Sequence, residues 1–174
     1  QVERFRREAR ITAHLDHPAI VGLVDSGVDE AGGLPVPYLV SKLVEGQPFA
    51  AALRGCPAPV VLATFAEVCE AVSHAHSRGV LHRDLKSPNV LVDSSLHAHV
   101  LDFGIARLLH HGSDTVTGEV LGTPSAMSPE QAAGARIDAR SDVWSLGALL
   151  FEALTGEVPH DLVGLQGAAV LRRV

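Results

Sequence analysis

Lysine is scarce in this chain of 174 residues. Lys42 and Lys86 are the only two, and arginine supplies the rest of the 14 positive side chains. Asparagine occurs once, at Asn89. Where chemistry calls for an ammonium group or a short neutral amide, the chain therefore offers almost no choice of residue. The two cysteines, Cys56 and Cys69, make no CxxC pair. That excludes a disulfide framework and a thiolate metal site, and it fits a reducing, cytoplasmic compartment. No apolar run reaches the roughly 18 residues of a membrane span, so the segment reads as soluble, without membrane contact. A net charge of −6 argues against a nucleic-acid-binding field. The chain begins at Gln1 with no signal-peptide pattern after it, which is expected of a piece of a longer protein. What is present is apolar: 47% hydrophobic residues, with a mean hydropathy of +0.21. That is too apolar for a disordered chain and enough to bury a core of one domain or a large part of one.

Val2 to Leu15 reads as a helix, with Phe5, Glu8, Thr12 and Leu15 on one face, ended by His17-Pro18. Ile20 to Asp25 and Pro37 to Val44 read as antiparallel strands around a turn at Asp29 to Gly33. Pro59 to Ser77 is a second helix with an inward stripe of Leu62, Phe65, Cys69, Val72 and His76, stopped near Gly79. Val90 to Val92 and His97 to Leu101 are short strands joined by Asp93-Ser94-Ser95. Phe103 to Arg140 reads as a long loop region. Ser141 is expected to cap an apolar helix that runs to Thr155, stops at Gly156 and sits deep in the core. The arginines Arg4, Arg6, Arg7 and Arg10 read as a solvated helix face, and the ten histidines, without metal-ligand spacing, as surface or packing residues.

Four short segments occur in one order: HRDLKSPN (His82 to Asn89), DFG (Asp102 to Gly104), GTPSAMSPE (Gly122 to Glu130) and SDVWSLG (Ser141 to Gly147). Together they resemble the catalytic half of a protein kinase, most closely the bacterial serine/threonine kinases related to the eukaryotic ones. The resemblance implies an α+β, two-lobe protein kinase-like fold, incomplete at both ends. Residues 1–44 would be a remnant of the β-rich small lobe and 45–174 the mostly helical large lobe to just past its central helix.

The resemblance also implies an activity, ATP-dependent phosphorylation of serine or threonine hydroxyls on protein substrates, with ATP and Mg²⁺ as cofactors. In that reading Asp84 orients the acceptor hydroxyl and Lys86 places a positive charge near the γ-phosphate. Asn89 and Asp102 hold the metal, which takes carboxylate, amide and phosphate oxygens. Glu8, with a lysine on a strand, would position the nucleotide. No lysine precedes Glu8, and no glycine-rich phosphate loop precedes Val2. The 174 residues alone are therefore expected to be inactive. Arg83 would pair with a phosphate on the activation segment, whose candidate acceptors are Ser113, Thr115 and Thr117. Thr123 would tie the substrate loop to Asp84 and Lys86. His82, Phe103, Gly104, Glu130 and Asp142 would be scaffold, Asp142 by accepting backbone N–H groups around His82 and Arg83, and Glu130 by pairing with an arginine beyond Val174. Two departures from the family pattern stand out. Ala126 replaces a common aromatic, and Thr12 replaces a larger apolar residue one turn beyond Glu8. Two other readings use the same motifs: a pseudokinase that binds or scaffolds without transfer, and a small-molecule phosphotransferase.

Overall fold

In the computed structural model, residues 2–31, 34–103 and 126–160 are described. Helix α1 (Val2–Ala13) ends two residues before Leu15, and single turns at His14 and Leu15 carry the chain to Pro18. Phe5 and Ala9 of α1 and Leu15 just beyond it are buried, with Thr12 half-buried on the same side. The two strands that follow, β1 (Leu23–Ala31) and β2 (Leu34–Ser41), pair antiparallel from Leu23 opposite Ser41 to Ala31 opposite Leu34. The hairpin is longer than the apolar runs suggest. Asp25, Asp29 and Glu30 are all exposed, and none of the described residues of the hairpin is buried, so polar residues need not end the strands.

The second sheet is built from β3 (Gln47–Pro48), β4 (Val90–Val92) and β5 (Ala98–Val100), in that order. Val90, Val92, Ala98 and Val100 alternate inward, as a sheet with one buried face requires. The segment after α1 is tied to β5. Val21 donates to the Val100 carbonyl at 3.0 Å, and Val100 donates to the Ala19 carbonyl at 2.8 Å. This parallel bridge fixes the hairpin and α1 against the sheet that carries the candidate site.

A short helix α2 (Phe49–Ala52) and the long α3 (Ala58–Ser77) pack beneath this sheet. The buried face of α3 is Val61, Thr64, Val68, Ala71, Val72 and Ala75, one residue out of phase with the sequence-based stripe. Leu62 is 49% exposed, and Phe65, Cys69 and His76 lie half-buried at the flank. The reason is steric. Alanine, threonine and valine let α3 approach β5 closely, and Thr64 reaches the Leu96 carbonyl at 3.0 Å, whereas a stripe of larger side chains would hold the helix away. By length and composition α3 could cross a membrane, but that apolar face is already spent on the core.

Two helices follow among the described residues, α4 (Pro129–Ala132) and α5 (Ala139–Thr155). The first interrupts the region read as loop. Its signal was present in the sequence: Ser128 as N-cap, Pro129 at the first position and Gln131 closing a capping box. Helix α5 begins earlier than expected, because Asp138 rather than Ser141 is its cap, accepting from the Arg140 N–H at 2.9 Å. Gly156, at φ 76°, ends it in the left-handed conformation that favours glycine. The expectation that α5 sits deep in the core holds for only part of the helix. Ser141, Asp142, Ser145, Ala148 and Leu149 are buried, while Val143, Trp144, Phe151 and Leu154 are exposed among the described residues. Small and hydrogen-bonding residues face inward because the loop they touch brings polar backbone, not apolar surface, to the helix.

The phase of α3 gives a direct test. Val61→Ala should cost about 1.5–3 kcal/mol of unfolding free energy in urea, and Leu62→Ala about 0.5 kcal/mol or less. Equal losses at the two positions would place the helix in the wrong rotation.

Candidate active site

The loop from His82 to Asn89 lies between α3 and β4, and three of its residues are locked by the core. His82, Leu85 and Ser87 are buried. The Ser87 hydroxyl accepts the Ala50 N–H at 2.9 Å, which ties the loop to α2. The His82 ring lies 4.8 Å from that of Phe103, centroid to centroid, and its Nε2 donates to the Leu101 carbonyl at 2.9 Å. Nδ1 then takes the Asp84 N–H at 3.4 Å, so the two contacts select the neutral tautomer with its proton on Nε2. Burial pushes the His82 pKa down, in keeping with that neutral ring.

Arg83 has φ 70°, a left-handed backbone uncommon outside glycine, which costs about 1–3 kcal/mol. It is tolerated because both flanking peptide groups are held. The Arg83 N–H donates to Asp142 Oδ1 at 2.8 Å, and its carbonyl accepts Gln131 Nε2 at 2.7 Å. Asp142 is 1% exposed, and its Oδ2 takes the His82 N–H at 2.9 Å and His76 Nε2 at 2.7 Å. A buried carboxylate with three donors offsets its desolvation by charge-assisted bonds.

This turn aims Asp84 at its neighbours. Lys86 Nζ lies 2.9 Å from Asp84 Oδ2 and 3.1 Å from Oδ1. Asn89 Nδ2 donates to the Asp84 carbonyl at 2.7 Å and to Oδ2 at 3.0 Å. The Asn89 backbone carbonyl accepts the Leu101 N–H at 2.9 Å, which brings the following residue, Asp102, next to the loop. Asp102 is exposed with φ 58°, a conformation aspartate tolerates better than most side chains. Both Asn89 Nδ2 protons go to Asp84, so the amide oxygen is left to the side. One amide oxygen and one carboxylate make a hard, oxygen-only donor set that suits Mg²⁺ with phosphate oxygens completing its shell.

Of the scaffold residues proposed from sequence, Phe103 is buried and its carbonyl accepts the half-buried Thr12 hydroxyl at 3.4 Å. Glu130 accepts the Ser141 hydroxyl, and that bond holds its carboxyl below the usual range. Ser145 donates to the Ala126 carbonyl at 3.1 Å, fastening the middle of the GTPSAMSPE segment to α5. Glu8 falls on α1, with its side chain outside the described part. Gly104, Ser113, Thr115, Thr117 and Thr123 lie outside the described residues. Sequence reasoning missed His76, Gln131 and Ser145. Gln131 had a readable signal, the S-x-x-Q of a capping box. The other two had none, since contact across 66 residues to Asp142, or from Ser145 to Ala126, leaves no local pattern.

A family model described as "Protein kinase domain" matches residues 1–167. The chain belongs to the protein kinase domain family. It is 42% identical over 164 residues to serine/threonine-protein kinase PknB of Mycobacterium leprae, covering 90% of this chain and 26% of that protein. It is 44% identical over 161 residues to PknB of Mycolicibacterium smegmatis, again covering 90% and 26%, and 44% identical over 168 residues to serine/threonine-protein kinase PksC of Streptomyces coelicolor, covering 91% and 30%. The chain therefore spans under a third of the length of these relatives. With the family shown, the two small sheets and the helices around the His82–Asn89 loop are parts of a two-lobe kinase fold.

The neutral, buried His82 has a consequence for stability. It protonates freely only when unfolded, so its contribution is complete above about pH 6.5 and falls as pH drops below that value. His97 works in the opposite sense. Its bond to Glu67 raises its pKa, so that contribution is present at low pH and lost as pH rises through the folded value. The buried group dominates because the His97 pair is solvent-exposed and screened. The urea midpoint should therefore fall between about pH 7.5 and pH 5, and His82→Phe should flatten that slope. A slope unchanged by the substitution would rule out His82 as its source.

Proposed function

We propose that the protein carrying this chain transfers the γ-phosphoryl group of ATP to serine or threonine hydroxyls of protein substrates. The observation that carries this reading is the bonding of Asp84. Its carboxylate is held by Lys86 on one side and Asn89 on the other, and the Asn89 backbone is bonded to the residue before Asp102. A base-side carboxylate, a cation and two metal-type oxygens are thereby gathered from two chain segments. The small-molecule rival has no counterpart to the segment that ends in Ser128-Pro129-Glu130. A pure scaffold has no physical need for all four groups.

In this reading Asp84 accepts a hydrogen bond from the acceptor hydroxyl and orients its lone pair toward phosphorus. It takes up the proton as the bond to phosphorus forms and the bridging oxygen departs with ADP. Asn89 fixes the rotamer of Asp84, so the carboxylate need not reorganise during the step. Lys86, within 3.1 Å of both Asp84 oxygens, places its charge where negative charge builds on the transferred group. Asn89 Oδ1 and the Asp102 carboxylate would hold Mg²⁺. When bound, the metal neutralises phosphate charge and orients the chain of phosphates. The names of the relatives, all serine/threonine-protein kinases, support a hydroxyl rather than a phenol as acceptor.

The test is transfer of radiolabelled phosphate from ATP to a serine- and threonine-bearing protein by the full-length protein. Asp84→Ala and Asp102→Ala should each lower the rate by about 100-fold or more. Both side chains are solvent-accessible, so the melting temperature should shift by only about 2 °C. Transfer at the unsubstituted rate in either variant would overturn the assignment.

A further inference from the structure

Gln131 belongs to none of the catalytic motifs, yet it bonds to the catalytic loop from α4. Its amide has two fixed ends. Oε1 accepts the Ser128 N–H at 2.9 Å, and Nε2 donates to the Arg83 carbonyl at 2.7 Å. The first bond closes the capping box of α4 and settles which end of the amide faces the loop. The second reaches across 48 residues to the residue just before Asp84. Arg83 is the strained point of the loop, with φ 70°. A left-handed residue keeps that conformation only if the peptides on both sides are held, and here the partners are different in kind. The N–H side is held by the Asp142 carboxylate on α5, the carbonyl side by Gln131 on α4.

The Arg83 carbonyl belongs to the same peptide unit as the Asp84 N–H. Rotation of that unit would swing Asp84 away from Lys86 and Asn89. We infer that Gln131 is a positioning residue for Asp84, clamping the Arg83–Asp84 peptide and so coupling the α4 cap to the orientation of the catalytic carboxylate. Because α4 begins with the last two residues of the GTPSAMSPE motif, the same amide ties the substrate-loop side of the site to the phosphate side. The catalytic part of this inference rests on the phosphoryl-transfer reading, whereas the clamp itself is independent of it.

Two substitutions in the full-length protein separate the two ends of the amide. Gln131→Glu keeps an oxygen for the Ser128 N–H, so the cap survives, but sets a second oxygen against the Arg83 carbonyl. Gln131→Met removes both bonds and adds no charge. The clamp requires two results for Gln131→Glu: kcat lower by about 30-fold and KM for ATP within about twofold, alongside a lower melting temperature from the lost Arg83 bond. Gln131→Met should lose kcat as well, with a lower melting temperature from the lost cap. Amide exchange of residues 82–89 should quicken about tenfold in both. A glutamate variant matching the unsubstituted protein in both kcat and exchange, whatever the methionine variant does, would reduce Gln131 to a helix cap and overturn the inference. If the unsubstituted protein transfers no phosphate, the functional proposal fails, and exchange over residues 82–89 still decides the clamp.

Discussion

The arrangement around the candidate site depends on one buried carboxylate. Asp142 sits in the first turn of α5, at 1% exposure, and receives the N–H groups of His82 and Arg83 together with the His76 ring. Without those donors a charge in this position would be prohibitively desolvated. Without that charge the loop would have no partner for two backbone N–H groups turned away from regular structure. Each side makes the other tolerable. Everything downstream, including the strained backbone at Arg83 and the orientation of Asp84, is built on that mutual satisfaction.

Around this anchor the molecule uses polar ties where most cores use apolar packing. Ser87, Ser128, Ser141, Ser145 and Asp142 are all buried, and each has a partner on another element or at a helix cap. The apolar core proper, from Phe49 and Leu53 through Val68, Val72 and Val100 to Leu149, lies beneath and supplies the burial that makes these bonds strong. This division of labour fits a chemistry of positioning. A catalytic carboxylate must be held to a fraction of an ångström, and directional hydrogen bonds do this better than non-directional contact.

Much of the fold and most of the central site were legible in the chain itself. The helix stops at His17-Pro18, Gly79 and Gly156, the alternation of β4 and β5, and the spacing from Asp84 to Asn89 are local features with local causes. The errors were errors of context. The face of α3 was assigned to its larger apolar residues, while the close approach to β5 selected the smaller ones. The sequence points to Ser141 as the cap of α5, but that hydroxyl is taken by Glu130, and Asp138 caps instead. The apolar content of α5 points to a place deep in the core, whereas Trp144 and Leu154 are exposed among the described residues.

The order and spacing of residues determined the chemistry available. One asparagine, one lysine and a pair of aspartates sit in the two motifs that resemble the metal- and phosphate-handling segments of the family. Only the tertiary structure decided which of these groups share a site and what holds them there. His76 meets Asp142, Gln131 meets Arg83, and Asn89 meets Leu101, across gaps too long to leave a periodic trace. Periodicity records which side of an element faces inward, because that depends on neighbours a few residues away. A long-range hydrogen bond depends instead on where two separate elements come to rest, and packing alone sets that.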